Sequence, residues 1–154
     1  MENTNKIEIL NSLIVINNDR IEGYKTAEAE AKETDLKMLF SDLMETSVQN
    51  RKELAQEVKL LGGTTDEGTR ITGKFFRVWM DVKAAFTGND RKTILESCEY
   101  GEDVILETYQ KAMVEEHFKI DVNEENMLLK QFELLESDRA KVKKLLYAIE
   151  NQKN

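Results

Sequence analysis

Apolar residues recur at intervals of three and four along most of the chain, the spacing of one face of an α-helix. A first stripe extends from about Asn3 to Lys32 and a second from Asp35 to Leu61, with only a few residues between them. We therefore predict two long helices that form an antiparallel hairpin. Gly62 and Gly63 follow the second stripe, as expected at a helix C-terminus.

Two further long helices are predicted in the second half of the chain. The first begins after Asp90 and ends near Phe118, and the last begins at Asn123, a suitable N-cap residue. Between the two pairs lies a crossover, about 62–90, which contains five of the seven glycines. Within this crossover, the sequence FFRVWMDVKAAF at 75–86 predicts a short, aromatic-rich extra helix.

The predicted fold class is all-α. Four long helices, paired as hairpins and joined by a crossover, describe a ferritin-like four-helix bundle, with the short extra helix between bundle helices two and three. We expect residues 1–154 to form a single domain that ends in a polar tail at 151–154. A simple up-and-down bundle, in which the aromatic helix is a full member, is the alternative arrangement.

Composition and charge narrow the function classes. The chain has no Pro and 34% charged residues, a composition typical of soluble helical proteins. Its net charge of −8 argues against nucleic acid and anionic membranes as partners. No apolar run approaches the roughly 20 residues that span a bilayer, and we expect a cytoplasmic protein. The single Cys98 lies on an apolar stripe and is expected in the core.

Polar residues interrupt each apolar stripe near its middle. Counted from the two hairpin turns, they fall at one height and form a predicted buried polar layer: Asn17, Asn50, Arg51, Glu102 and Arg139. Charges in a core are costly unless they are paired, so we favour an ion pair between Glu102 and Arg139 that fixes helix register. If the helix ends are misjudged, one of these two side chains instead reaches solvent along its apolar stem.

A di-iron site is the competing interpretation of the polar layer. Such sites take Glu from two helices and Glu-x-x-His from two others, but the only histidine, His117, lies near a helix end. The corresponding positions on the last helix hold Glu136 and Arg139, and a permanent cation repels a metal ion. The remaining candidate carboxylate ligands are Glu22, Glu99 and Glu102.

Several segments resemble those of a known protein family. They are DRIEGY at 19–24, LLGG at 60–63, WMDVKAAFTG at 79–88 and CEYGED at 98–103. With them the chain resembles a bacterial family of ferritin-like four-helix-bundle proteins known only as a domain of unknown function. The resemblance covers nearly the whole chain and implies the ferritin-like fold. Members often carry one His before the Trp and another in the last helix, where this chain has Phe75–Arg77 and Arg139.

These observations favour a non-enzymatic bundle that serves as a structural or protein-interacting module. A stress-associated role is an analogy from the fold type alone. No catalytic residue and no cofactor are predicted, and the expected partner is another protein or further copies of the chain. The alternatives are a carboxylate-rich metal-binding or di-iron oxidoreductase-type protein, and a bundle with a small-ligand pocket between its helices.

Overall fold

The computed structural model describes residues 2–66, 84, 88, 90–115 and 121–152. Within these ranges the chain forms four long α-helices and no strand: α1 (Glu2–Glu30), α2 (Thr34–Leu60), α3 (Arg91–Glu115) and α4 (Val122–Gln152). The all-α prediction is confirmed. All of the extra helix predicted at 75–86 except residue 84, and the histidine at 117, lie outside the described residues.

The first hairpin ends in a glycine cap. At the end of α2, the Gly63 N–H donates to Val58 O at 2.9 Å and the Gly62 N–H donates to Lys59 O at 3.0 Å. This is the Schellman pattern, which requires a residue with positive φ, and Gly62 has a φ of 83°. The predicted glycine end of the second helix is therefore confirmed.

The chain that leaves α2 turns back along α1. Gly63 passes so close to α1 that a Cβ at this position would lie 2.8 Å from Ile7 Cδ1. One turn further along α1, Asn11 donates to Thr64 O at 3.0 Å and accepts from the Asp66 N–H at 2.9 Å. The chain therefore begins to run parallel to α1, in the direction that a crossover to the opposite end of the helices requires.

α3 begins beside the turn between α1 and α2. Asp90 caps it by accepting from the Thr93 N–H at 3.2 Å. Arg91 donates to Glu33 at 2.6 Å and to Asp35 at 3.0 Å, which ties the start of α3 to the start of α2. Asp35, where the second apolar stripe was predicted to begin, lies in the first turn of α2, whose cap residue is Glu33. α3 consequently runs parallel to α2.

α4 begins at the opposite end, beside the start of α1. Asp121 and Glu124 form a reciprocal capping box, in which each backbone N–H donates to the other's carboxylate, at 3.1 Å and 2.9 Å. Asp121 is therefore the N-cap of α4, two residues earlier than the predicted Asn123. Lys6 lies 3.1 Å from Glu124 and joins α1 to α4. Along the chain, the helices run up, down, down and up.

The four helices contact one another in a ring, in the order α1, α2, α4, α3. Their inner faces form two apolar clusters. The cluster nearer the α1–α2 turn includes Ala27, Phe40, Leu95 and Val142, and the cluster nearer the start of α1 includes Leu13, Leu54, Ile105 and Leu128. Each fully buried Leu, Ile, Val or Phe contributes about 1.5–3 kcal/mol to the free energy of folding.

Candidate functional site

A band of buried polar side chains separates the two apolar clusters. We name one part the charge layer, to which each helix contributes one residue: Arg20, Ser47, Glu102 and Asp138. The adjoining part is the amide layer, to which each helix again contributes one residue: Asn17, Asn50, Tyr109 and Gln131. Each of these side chains belongs to a residue that is at most 2% exposed.

Arg20 is the centre of the charge layer, and all five of its N–H donors are used. Nε donates to Glu102 Oε2 at 2.9 Å, while Nη2 donates to Glu102 Oε1 and, at 3.0 Å, to Asp138 Oδ2. Nη1 donates to Leu43 O at 2.6 Å and to Ser47 Oγ at 2.9 Å. The pairing with Glu102 is the bidentate form, which is the strongest geometry for a guanidinium and a carboxylate.

Tyr24 and Cys98 complete the surroundings of Glu102. The Tyr24 hydroxyl donates to Glu102 Oε2 at 2.9 Å, and the guanidinium carbon of Arg20 lies 5.3 Å from the Tyr24 ring centre. Burial, followed by the charge of Glu102, raises the pKa of Tyr24 and of Cys98. Burial opposes ionisation of Arg20, but the charge of Glu102 raises the pKa of this guanidinium. The layer therefore holds one cation, two carboxylates and neutral Tyr24 and Cys98.

Asp138 connects the charge layer to the surface. One of its oxygens accepts from Arg20, and the other lies 3.7 Å from Lys141 Nζ, whose side chain is 48% exposed. Lys141 therefore approaches the Asp138 carboxylate from the edge of the bundle, at the distance of a weak ion pair.

The predicted ion pair between Glu102 and Arg139 is wrong. Arg139 lies at the surface with its side chain 30% exposed, and its Nε is 2.5 Å from Asp103 Oδ1. Consecutive residues of a helix point about 100° apart, so only one of Asp138 and Arg139 can face the core. Asp138 does so, and Glu102 pairs with Arg20 instead.

Arg51 is also placed outside the interior, which corrects its assignment to the polar layer. It is exposed, and it donates to Asn18 Oδ1 at 3.3 Å. Its neighbour Asn50 faces the core. The structure therefore brings Asn17, Asn50 and Glu102 into the buried band and leaves the two predicted arginines at its periphery.

The Tyr109 hydroxyl is the centre of the amide layer. It accepts from Asn17 Nδ2 at 2.9 Å and donates to Gln131 Oε1 at 2.7 Å. Asn17 Nδ2 also donates to Leu13 O at 2.8 Å, and Gln131 Nε2 donates to Glu53 Oε1 at 3.1 Å. Burial raises the pKa of Tyr109, so its hydroxyl keeps its proton and acts as both donor and acceptor.

The amide layer leaves hydrogen-bonding capacity unused. Within the described part of the chain, Asn17 Oδ1 and both side-chain polar atoms of Asn50 have no hydrogen-bond partner. The Asn50 side chain lies close enough to the Tyr109 hydroxyl to act on its pKa, in the lowering direction, but the two groups do not reach hydrogen-bond geometry. A buried polar atom without a partner costs about 1–3 kcal/mol, so this feature requires an explanation.

Five members of the two layers were not included in the predicted polar layer: Arg20, Ser47, Tyr109, Gln131 and Asp138. Each lies on a strict alternation of three- and four-residue steps that also contains most of the buried apolar residues of its helix. On α1 the alternation is Leu10, Leu13, Asn17, Arg20, Tyr24, Ala27 and Ala31, and on α4 it is Leu128, Gln131, Leu135, Asp138 and Val142. Following this heptad step through polar positions would have identified them.

The predicted metal ligands do not converge. Glu22 and Glu136 are exposed and Glu99 is half-buried, while both oxygens of Glu102 are engaged by Arg20. In the ranges that the structure covers, no group of three or more His, Cys, Asp or Glu side chains is arranged to hold a metal ion. A carboxylate that chelates a permanent cation does not fit the ligand role that a di-iron centre requires.

A basic groove of about 600 Å³ lies on the outer side of α1 and α2. Its floor is apolar and comprises Ile14, Val48 and Ala55, and its polar lining comprises Asn18, Arg51, Lys52, Lys59, Thr65 and Asp66. Among the described residues, no carboxylate forms an ion pair with Arg51, Lys52 or Lys59. We refer to this feature as the basic groove.

Comparison with known proteins assigns a family but no activity. None of the helices in the described ranges has the length and apolarity of a bilayer-spanning segment. No curated protein matches the chain. Residues 5–115 match the family described as "Domain of unknown function (DUF2383)", a stretch that contains Arg20 and Glu102 and ends before Asp138. Because this match covers well over half of the sequence, the chain belongs to the DUF2383 family.

Proposed function

We propose that this protein is a non-enzymatic helical module that binds an acidic segment of a partner protein in the basic groove. The groove is the observation that carries the proposal. It combines three cations without carboxylate partners, among the described residues, with an apolar floor, in a chain whose net charge is −8. A cationic surface on an acidic protein selects partners by charge complementarity.

The dimensions of the groove favour a peptide over a single small anion. Arg51 and Lys59 are eight residues apart on α2, which corresponds to about 12 Å along a helix axis. One phosphate cannot contact both ends, whereas an extended or helical segment with several carboxylates can. The floor formed by Ile14, Val48 and Ala55 is suited to apolar side chains of the same segment. The overall negative charge opposes nucleic acid and anionic membranes as alternatives.

The interior supports a structural role for the buried charges. Arg20 and Glu102 satisfy each other, and the remaining donors of Arg20 reach Leu43, Ser47 and Asp138. Such a network fixes the relative register of all four helices. The carboxylate-rich metal-binding or di-iron oxidoreductase function has less support, because Glu102 would have to exchange its arginine for a metal ion.

Several broader assignments belong to the same proposal. The up-down-down-up order and the start of a crossover along α1 support a ferritin-like bundle. We further propose a single domain, a cytoplasmic location and no resident cofactor. A stress-associated role rests on fold analogy alone. Assembly with further copies of the chain is the alternative to a separate protein partner.

A peptide titration tests the groove. The probes are a fluorescein-labelled peptide of Glu–Leu repeats and a Gln–Leu peptide of equal length. We expect the acidic peptide to bind and the Gln–Leu peptide not to bind. On binding, the backbone amides of the protein whose chemical shifts change should be those of the basic groove. Arg51→Glu combined with Lys52→Glu should weaken binding by about tenfold or more.

The matched control places the same charge reversal on another surface. Lys143 and Lys144 are exposed on α4, so Lys143→Glu with Lys144→Glu changes the net charge equally without altering the groove. This control should change binding by less than about twofold. If both double variants weakened peptide binding equally, the effect would come from the net charge of the protein. This result would contradict a specific docking site in the basic groove.

Metal analysis tests the alternative separately. The untagged protein is purified without chelator, incubated with iron(II) in air and analysed for iron. We expect no stoichiometric iron. About two irons per chain, bound by wild-type protein and lost in Glu102→Gln, would favour the di-iron function over the proposed one.

A further inference from the structure

The amide layer contains three unpaired hydrogen-bonding atoms that belong to one small region. Asn17 donates to the Tyr109 hydroxyl at 2.9 Å, and the Asn50 side chain lies beside the same hydroxyl. Asn17 Oδ1, Asn50 Oδ1 and Asn50 Nδ2 have no partner among the described residues. Two adjacent helices, α1 and α2, therefore place these amide atoms in the same part of the core.

The orientation of the Asn17 amide is fixed by its other contacts. Its Nδ2 donates to both Leu13 O and the Tyr109 hydroxyl, so the unused atom is the carbonyl oxygen. Asn50 presents one acceptor and one donor whichever way its amide is turned. The region therefore needs a ligand that donates two hydrogen bonds and accepts at least one.

Water is the small molecule that meets this requirement. It donates twice and accepts up to twice, and internal waters in proteins typically make about three hydrogen bonds to otherwise unpaired groups. A monovalent cation could contact the two amide oxygens, but it would leave the Asn50 amide hydrogens unsatisfied. An apolar ligand would satisfy none of the three atoms.

We propose that the amide layer binds one internal water molecule between Asn17 and Asn50. This site is separate from the basic groove and does not depend on the proposed function. The water joins α1 to α2 in the amide layer, next to the charge layer that joins all four helices. It thereby completes the hydrogen bonds of the polar band without any additional charge.

The first experiment uses the wild-type protein and water-selective NMR. The side-chain NH₂ protons of Asn50 should show cross-peaks to water. These cross-peaks should have opposite signs in NOESY and ROESY spectra, because the water stays bound for longer than the protein takes to tumble. The Tyr109 hydroxyl could relay such a signal by proton exchange. Tyr109→Phe removes that relay and retains both amides, so the cross-peaks should persist in this variant.

The second experiment counts long-lived waters by oxygen-17 relaxation dispersion. Asn50→Leu should lower the count by one, and Asn126→Leu, which changes an exposed asparagine on α4, should leave it unchanged. If Asn50→Leu does not fold, a high-resolution crystal structure of the wild type decides the same point. Absence of water near Asn50, loss of the cross-peaks in Tyr109→Phe, or an anomalous thallium(I) signal at the site would overturn the proposal.

Discussion

The charge layer and the amide layer adjoin in the same core, and each takes one side chain from every helix. In the charge layer, Arg20 uses all five donors on protein acceptors. In the amide layer, three atoms of Asn17 and Asn50 find no partner in the described part of the chain. The difference follows from the cost of desolvation, because an unpaired buried charge is far more destabilising than an unpaired amide.

Removal of Arg20 should produce the largest change in stability. In Arg20→Met, two buried carboxylates, Glu102 and Asp138, lose their cation, and we expect a loss of about 3–5 kcal/mol in the free energy of unfolding. Urea denaturation followed by circular dichroism measures it. Adding Glu102→Met and Asp138→Leu should recover most of the loss, since an apolar replacement removes the unpaired charges. A loss below about 1 kcal/mol would contradict the central role of Arg20.

Removal of the Glu102 charge should cost less than removal of Arg20. In Glu102→Gln, Arg20 keeps its contacts with Asp138, Ser47 and Leu43, so its charge remains partly compensated. We expect a loss of about 2–3 kcal/mol, measured by the same denaturation experiment. A loss equal to that of Arg20→Met would indicate that Asp138 contributes no compensation.

The amide layer should respond more weakly to a comparable change. Tyr109→Phe removes the hydroxyl that donates to Gln131, while Asn17 retains its bond to Leu13 O. We expect a loss of about 1–2 kcal/mol in the free energy of unfolding. Tyr24→Phe, which removes a hydroxyl from the charge layer, is the matched comparison and should cost at least as much because its acceptor is charged.

The surface pair that replaces the predicted core pair should contribute little. Arg139→Ala removes the contact with Asp103, whose side chain is 51% exposed, and should cost less than about 1 kcal/mol. Denaturation at low and high salt separates this screened interaction from the buried one. A loss of stability as large as that of Arg20→Met would show that Arg139 lies in the core, as the sequence had predicted.

The smallest expected effect is that of pH on the Arg91 cluster. The hydrogen bond and charge of Arg91 lower the pKa of Asp35 below its usual range. The contribution of Asp35 to stability is therefore present above its unfolded pKa and disappears as pH falls through its lower folded pKa. The stability difference between wild type and Arg91→Ala, about 0.2–1 kcal/mol near pH 7, should vanish in this acidic range. Persistence of the difference below that range would assign it to another interaction.

The sequence predicted the four helices well because strong, local signals define them. The apolar stripes gave all four helices, and the glycines after Leu61 gave the Schellman end of α2. The crossover could be inferred because a tight loop cannot span the length of a helix of this size.

The membership of the polar band was harder to predict. The stripe on α1 contains Ile21 directly after Arg20, and the stripe on α4 contains Arg139 directly after Asp138. At each pair, moving by one residue rotates the direction of the side chain by about 100°. Helix ends predicted from the sequence are too approximate to decide which residue of the pair faces the core. The partner of Glu102 depends on which long side chain reaches across the core, and this is a property of the packed helices.

The position of Arg20 in the chain has a consequence for the kinetics of folding. Its partners Glu102 and Asp138 are 82 and 118 residues away along the sequence, whereas each hairpin closes through much shorter loops. Long loops close at a greater entropic cost, so these contacts should form after the hairpins have paired. Interactions that form after the transition state act mainly on the unfolding rate. The buried guanidinium would then serve chiefly to lengthen the lifetime of the native state.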